Sequence, residues 1–266
     1  MIPFNFDYYR PDTIREAVDT YFTLQSAGKR PYYYGGGTEI ISMARVNDIQ
    51  PDAVIDIKYI PECRDYGPDN GTLHFGAGVT LSAITESDLF PLLTKACGRV
   101  ADHSVQVKVT LGGNLCGTII YREGLLPLLL AGATITIAGK DGLKTCPIYD
   151  RLNNGARLAD GELLARVSLD KTCADRRYWH IKRVAAEKIG YPLITAAALE
   201  NGGKIRLAFS GLCAFPFLAA FDLHMDPEEM MRNLPASILN NTEGSAQYRK
   251  SVCRNTVQSI LKEAGG

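Results

Sequence analysis

The chain has 266 residues, 46% of them hydrophobic, which is enough to build one large unit or two or three small ones around a real core. Its 29 basic and 29 acidic side chains cancel, and this balance argues against a nucleic-acid-binding protein, which needs a basic stripe. The longest apolar stretch, residues 125–138, contains Pro127 and Gly132 and is too short for a bilayer, so no membrane span is predicted.

The first part of the chain has the alternating pattern of a β-α-β-α-β unit. A capping box, Thr13-x-x-Glu16, begins the first predicted helix, and Gly28 ends it. The predicted elements are strand 4–8, helix 13–27, strand 31–34, helix 40–46 and strand 53–57. Such an order predicts a small parallel sheet over residues 1–57.

The middle of the chain, residues 58–172, predicts a mixed α+β unit. Its predicted elements are strand 73–78, a helix in two pieces over 81–102, helix 125–130, strand 133–138 with a hairpin turn at 140–142, and strand 163–169. The last part predicts a strand at 179–182, a hairpin over 194–210, a helix with Asp226 as its N-cap and Pro227 at its first position, and a final helix over 248–263.

The seven cysteines stand singly, without a C-x-x-C pair. This odd, scattered set argues against a disulfide framework, a zinc site or an iron–sulfur cluster held by this chain alone. The histidines show no metal-ligand spacing either, so no metal ligand is predicted. Scattered thiols fit a reducing compartment, and we expect a cytoplasmic protein.

Two glycine loops provide the main functional signal. The first, Tyr34-Gly35-Gly36-Gly37-Thr38-Glu39, links a predicted strand to a predicted helix, and the second is Thr110-Leu111-Gly112-Gly113-Asn114. Glycine allows a ligand to approach the backbone, and a loop that opens onto a helix collects unpaired N–H groups at the positive end of the helix dipole. We therefore expect N–H groups of both loops, with the Asn114 amide, to hold the pyrophosphate of one dinucleotide.

The first loop alone has a plainer interpretation as a tight turn with a helix cap, in which Thr38 is the capping residue. Neither loop has the G-x-G-x-x-G pattern of a Rossmann site or the G-K-[ST] sequence of a P-loop, so both of those sites are disfavoured.

Several segments together resemble one family. They are Phe6-x-Tyr8-x-x-Pro11-x-Thr13-Ile14-x-Glu16-Ala17, Gly35-Gly36-Gly37-Thr38-Glu39-Ile40, Thr110-Leu111-Gly112-Gly113-Asn114-Leu115 and the final helix after Tyr248-Arg249. In this order they are similar to the flavin-binding medium subunit of molybdenum hydroxylases of the xanthine dehydrogenase and carbon monoxide dehydrogenase type.

The resemblance implies an α+β fold. A two-subdomain FAD-binding domain is expected over residues 1–172, with a small parallel β-α-β unit at about 1–57 and an antiparallel mixed unit at 58–172. A C-terminal domain with a three-stranded sheet and helices is expected over residues 173–266.

The resemblance also implies site residues beyond the two loops, and in places the sequence departs from the family pattern. Ile119 and Ile120 stand where family members have a Ser-Pro pair, and Glu123 stands where they have an aspartate that faces the cofactor. Glu123 is therefore expected either to contact the cofactor or to be a solvated glutamate at a helix start. Lys182 is either a cation beside the cofactor or, with Arg183, part of an exposed basic pair.

Two tyrosines complete the set of expected site residues. Tyr191 either covers the flavin ring or is a buried core residue. One ring of the run Tyr32-Tyr33-Tyr34 either forms a wall of the flavin site or the run belongs only to its strand.

The implied function is electron transfer through FAD, without a catalytic acid, base or nucleophile on this chain. Electrons are expected to come from a separate small subunit with two [2Fe-2S] clusters, to originate at a molybdopterin-binding large subunit, and to leave to NAD or another acceptor. Three alternatives stay open: a stand-alone flavin oxidoreductase, a non-redox module that binds a phosphorylated ligand, and a scaffold subunit that has lost its cofactor.

Overall fold

The computed structural model describes residues 1–184, 190–219 and 227–265. Its first unit consists of β1 (Asp7–Tyr9), α1 (Ile14–Ser26), β2 (Pro31–Tyr34), α2 (Thr38–Arg45) and β3 (Ala53–Asp56). The strands form a three-stranded parallel sheet in the order β1-β3-β2. The predicted β-α-β-α-β order is thus confirmed, and the side chain of Thr13 accepts from the Glu16 N–H as the capping box requires.

The second unit is an antiparallel sheet with short helices. Its elements are α3 (Pro61–Arg64), β4 (Tyr66–Asp69), β5 (Thr72–Gly76), α4 (Leu81–Ser87), α5 (Pro91–Cys97), α6 (His103–Gln106), α7 (Leu111–Cys116), α8 (Leu125–Ala131), β6 (Thr134–Gly139), β7 (Gly142–Pro147), α9 (Tyr149–Leu152) and β8 (Leu163–Asp170). A 3-10 helix, Lys171–Asp175, follows. The five strands have the order β4-β5-β8-β6-β7.

Several elements of this unit differ from the sequence prediction, which lacked the short helices α3, α6 and α9. Strand β4 was not predicted, because it contains Gly67 and Pro68; as the edge strand of the sheet it can accommodate a proline. The second glycine loop is the helix α7, for which the Thr110 side chain is the N-cap, and not an irregular loop.

The C-terminal part combines a sheet with two helices. Its elements are β9 (Tyr178–Val184), β10 (Pro192–Asn201), β11 (Lys204–Ser210), β12 (Phe217–Ala219), α10 (Pro227–Arg232) and α11 (Ala246–Ala264). The expected three-stranded sheet has a short fourth strand, β12, at its edge. Pro227 begins α10 as predicted, whereas its predicted cap, Asp226, lies outside the described residues.

Strand β10 belongs to two hydrophobic cores. Ala197 and Leu199 join the core of the first two units, while Ile194, Ala196 and Ala198 face a second core with α11. This alternation follows the two-residue period of a strand. It also places Thr195, on the same face as Ala197, against the second unit. Within the described residues, no helix combines the length and apolarity needed to cross a bilayer.

Candidate cofactor site

The first glycine loop lies between the end of β2 and the start of α2. Gly37 is the N-cap of α2 with a φ of 71°, a left-handed conformation that favours glycine, and it has no side chain to cap the helix. Thr38 is therefore the first helical residue, and the prediction that it caps the helix is wrong. Five consecutive backbone N–H groups have no acceptor among the described residues, namely those of Gly35, Gly36, Gly37, Thr38 and Glu39.

The second glycine loop uses its N–H groups within the protein. The N–H of Leu111 donates to Val79 O at 2.8 Å and that of Gly112 to Ala77 O at 2.8 Å. The Gly113 and Asn114 N–H groups donate to Thr110, at Oγ1 (3.2 Å) and at the carbonyl (2.9 Å) respectively. In this structure these N–H groups are therefore used to form and seat α7, whereas those of the first loop are not.

The first glycine loop lies directly against the start of the second. A Cβ added to Gly36 would lie 1.6 Å from Lys108 O, and one added to Gly35 would lie 2.4 Å from Thr110 Oγ1. These distances are far below van der Waals contact, so only glycine fits. The second loop and the residues just before it therefore pack tightly against the first loop and restrict its conformation.

Two further side chains fix the first loop from the end of β3. Lys58 donates from Nζ to Gly35 O at 2.9 Å and to Asp56 Oδ1 at 2.7 Å. Its Nζ also lies 4.6 Å from the centroid of the Tyr34 ring, which packs across Gly37. Burial raises the pKa of Tyr34. Asp56 accepts from the Tyr8 hydroxyl at 2.6 Å, and this hydrogen bond is the main reason that the pKa of Tyr8 rises to about 12.

Sequence reasoning missed Lys58. Its position directly after a parallel strand was the available signal, since ligands of open parallel sheets bind at the carboxyl ends of the strands.

Glu39 connects α2 to the turn after α7. Its Oε1 accepts from the Thr118 N–H at 2.7 Å and from the Thr118 hydroxyl at 2.9 Å. Arg157 donates to the carbonyls of Gly117 and Thr118 on the same turn. The Glu39 carboxylate therefore holds this turn against the first glycine loop. The backbone N–H of Glu39 stays available to a ligand.

Glu123 and Lys182, expected separately as cofactor contacts, form an ion pair with each other. Glu123 Oε2 lies 2.8 Å from Lys182 Nζ, and the side chains are only 5% and 6% exposed. Lys182 also donates to Arg99 O at 2.7 Å, and the Thr195 hydroxyl donates to Glu123 Oε1 at 2.6 Å. The alternatives of a solvated glutamate and an exposed lysine are both wrong, because β9 and β10 cover the segment before α8.

The segment 121–124 links the second glycine loop to the C-terminal sheet. Asn114 Oδ1 accepts from the Gly124 N–H at 3.0 Å, next to Glu123. The Tyr121 ring stacks on the Tyr191 ring, with centroids 4.9 Å apart and planes 14° from parallel. Tyr191 is 59% exposed, so the prediction of a buried core tyrosine is wrong. It lies at the surface, where its ring covers Tyr121.

These residues fit a phosphate-bearing cofactor. A row of free N–H groups at the start of α2 is the arrangement that binds phosphate oxygens, and the tight glycine contacts keep that row open. Fold and site together define a protein that binds a phosphate-bearing cofactor without a Rossmann or P-loop motif. Comparison with known proteins specifies the family: residues 4–171 match the family described as the FAD binding domain in molybdopterin dehydrogenase, and the chain belongs to it.

Individual relatives agree with this assignment. The chain is 23% identical to the nicotinate dehydrogenase FAD-subunit of Eubacterium barkeri over 97% of its own length and 94% of that protein. It is 26% identical to the carbon monoxide dehydrogenase medium chain of Afipia carboxidovorans, over 80% and 75% of the two chains. Its fold is that of a chain of quinoline 2-oxidoreductase from Pseudomonas putida 86, with a TM-score of 0.83 at 22% identity, covering 99% and 98% of the two chains. The cofactor is FAD, and the chain is an oxidoreductase subunit.

Proposed function

We propose that this chain is the electron-transfer subunit of a molybdopterin-dependent hydroxylase or dehydrogenase. It would receive electrons from a small subunit with two [2Fe-2S] clusters, which takes them from a molybdopterin-binding large subunit, and would pass them to NAD or another acceptor. The support comes from relatives whose names describe FAD subunits and medium chains of dehydrogenases. When bound, FAD supplies the redox chemistry of the subunit.

The observation that carries the proposal is the row of unpaired N–H groups from Gly35 to Glu39. These donors lie at the positive end of the α2 dipole, where they stabilise an anionic phosphate without a charged side chain. We assign the pyrophosphate of FAD to this row, with Tyr34 as an aromatic wall beside it. Thr110, Leu111, Gly112, Gly113 and Asn114 then form the support that keeps the row in place.

The ion pair between Glu123 and Lys182 has a different role in this proposal. Because both side chains are nearly buried and already paired, they hold the C-terminal sheet against the FAD-binding part. The cofactor would then bind in a groove between these two parts of the chain. Because the ion pair has no net charge, it would exert a weaker electrostatic effect on the flavin ring than an unpaired lysine. Tyr191 would cover the outer side of that groove and limit the access of solvent and acceptors.

The thiols support a location in a reducing compartment, and we propose the cytoplasm. All seven cysteines are free, and five of them are buried. Burial raises the pKa of Cys63 to about 12 and that of Cys253 to about 12, so these thiols are unreactive core residues.

Isolation of the tagged chain from its native host tests the proposal. The expected result is copurification with two further subunits, with iron and molybdenum present in addition to FAD, and reduction of FAD by the substrate only in the complete complex. Turnover of a small-molecule substrate by the isolated chain would instead show a stand-alone flavin oxidoreductase. A folded chain that binds a phosphorylated ligand but no flavin would show a non-redox module.

A further inference from the structure

Arg122 is a buried cation with one hydrogen-bond acceptor among the described residues. The residue is 1% exposed, and its Nη1 donates to Leu115 O at 3.2 Å. Its Nε and Nη2 are buried without an acceptor among the described residues. A guanidinium has five N–H donors, and leaving charged donors unpaired in the interior costs free energy that a folded protein rarely accepts without a reason.

The surroundings of Arg122 do not neutralise its charge. Burial and the neighbouring Arg157 lower its pKa to about 10, so the side chain stays protonated at neutral pH. Glu39 is a carboxylate that attracts it, but both hydrogen bonds of Glu39 Oε1 go to Thr118. Arg157, in contrast, uses its donors on the backbone carbonyls of the turn at 116–118. Arg122 therefore makes no hydrogen bond to an anion among the described residues.

The backbone at Arg122 is also unusual. Its φ is 37°, in the left-handed region that a side chain other than Asn or Asp rarely adopts. The strain lies in the segment that joins the second glycine loop to Tyr121 and Glu123. Residues with a strained backbone occur most often at ligand sites and active sites. There the unusual conformation gives the side chain an orientation that it would not otherwise adopt.

The position of this charge relates it to the cofactor. Glu39 lies in the first turn of α2, the eight-residue helix at whose start the free N–H groups of Gly35, Gly36 and Gly37 are found. Arg122 donates to Leu115 O and Glu39 accepts from Thr118, so both side chains contact the short segment 115–118 at the end of α7. An anion bound at the start of α2 would supply the negative charge that Arg122 lacks.

We propose that Arg122 binds a phosphate oxygen of FAD and so completes the pyrophosphate site formed by the first glycine loop. Charge-assisted hydrogen bonds from guanidinium to phosphate are among the strongest in proteins, and the fork of Arg122 has donors to spare for them. The contact to Leu115 O then serves to aim the side chain. In this proposal the Arg122 guanidinium adds a charged donor to the backbone N–H donors of the first glycine loop.

Binding measurements on the purified full-length chain test this role. Arg122→Met keeps the length of the apolar stem and removes the charge, Arg122→Lys keeps the charge and loses the fork, and Arg15→Met removes an exposed charge on α1 as the control. Apoprotein of each variant is titrated with FAD and, separately, with riboflavin, which has the same ring system but no phosphate.

Arg122→Met is expected to raise the Kd for FAD by about tenfold to hundredfold, the usual effect of losing a hydrogen bond to a charged group. Its Kd for riboflavin should change less than about twofold, because the lost partner is a phosphate. Arg122→Lys should fall between Met and wild type for FAD, and Arg15→Met should match wild type. The melting temperature of the Arg122→Met apoprotein should stay unchanged or rise, because an unpaired buried charge has been removed.

Two results would overturn the proposal. Equal losses of FAD and riboflavin affinity would show that Arg122 only shapes the site, and a lower apoprotein melting temperature with normal FAD affinity would make it a structural tie to Leu115. If the Met variant does not fold, the test uses wild-type apoprotein and inorganic pyrophosphate. Pyrophosphate should raise the melting temperature of the apoprotein and should compete with FAD for binding. The absence of both effects would refute the proposal.

Discussion

Replacement of Lys182 by methionine should destabilise the fold strongly. With charges 2.8 Å apart and an effective dielectric constant of about 20, the attraction to Glu123 is about 6 kcal/mol. Desolvation of the two ions, several kcal/mol for each, offsets much of it. Lys182→Met would leave the Glu123 carboxylate buried with the Thr195 hydroxyl as its partner. A stranded buried charge of this kind costs about 3–5 kcal/mol.

Urea unfolding followed by circular dichroism measures this loss. With a slope of about 3 kcal/mol/M, the midpoint of unfolding should fall by about 1–2 M. Arg183→Met is the matched control, since Arg183 is the exposed neighbour on the same strand, and it should change stability by less than about 0.5 kcal/mol.

The double variant Glu123→Gln/Lys182→Met separates the stranded charge from lost packing. It removes both charges, so its stability should return to within about 1–2 kcal/mol of wild type. A loss below about 1 kcal/mol for Lys182→Met would refute the reasoning, because a cost that small is typical of a solvent-screened surface pair. A double variant as unstable as Lys182→Met would show that packing, not charge, is responsible.

Three further substitutions test the groove and its glycine loops. Gly36→Ala should reduce FAD content to below about a tenth of wild type, because the new Cβ would lie 1.6 Å from Lys108 O and displace the loop; a folded variant with normal FAD content would contradict this. Gly113→Ala should have a much milder effect, because its Cβ would lie 3.1 Å from the Thr110 hydroxyl oxygen; equal losses for both variants would show that steric overlap is not the cause. Tyr191→Ala should keep its FAD but react faster with a soluble electron acceptor in stopped-flow absorbance, since the stack on Tyr121 is lost; an unchanged rate would remove the covering role.

Much of the fold could be predicted from local patterns. Period-two and period-3.6 patterns, the Thr13 cap and glycine turns specify β1 to β3 and their helices, because each signal lies within a few residues. The sequence patterns gave the wrong secondary structure where contacts with the rest of the protein outweigh the intrinsic preferences of proline and glycine. Pro68 is acceptable only because β4 is an edge strand, and Gly112 and Gly113 are helical only because Thr110 caps α7 and the helix packs on Ala77.

The site was predicted less completely than the fold. The sequence singled out both glycine loops, but only the structure shows which loop keeps its N–H groups free of acceptors within the protein. Glu123 and Lys182 were expected to contact the cofactor, and their pairing depends on how β9 packs before α8, which no local pattern encodes. Arg122 gave no sequence signal. Its burial and the missing acceptors for Nε and Nη2 are visible only in the structure.

The most direct test of the central claim is the visible absorption spectrum of the purified chain, followed by release and identification of the bound cofactor. The account predicts a yellow protein with one FAD per chain, lost in Gly36→Ala and weakened in Arg122→Met. A colourless, folded protein that also fails to take up added FAD would contradict it.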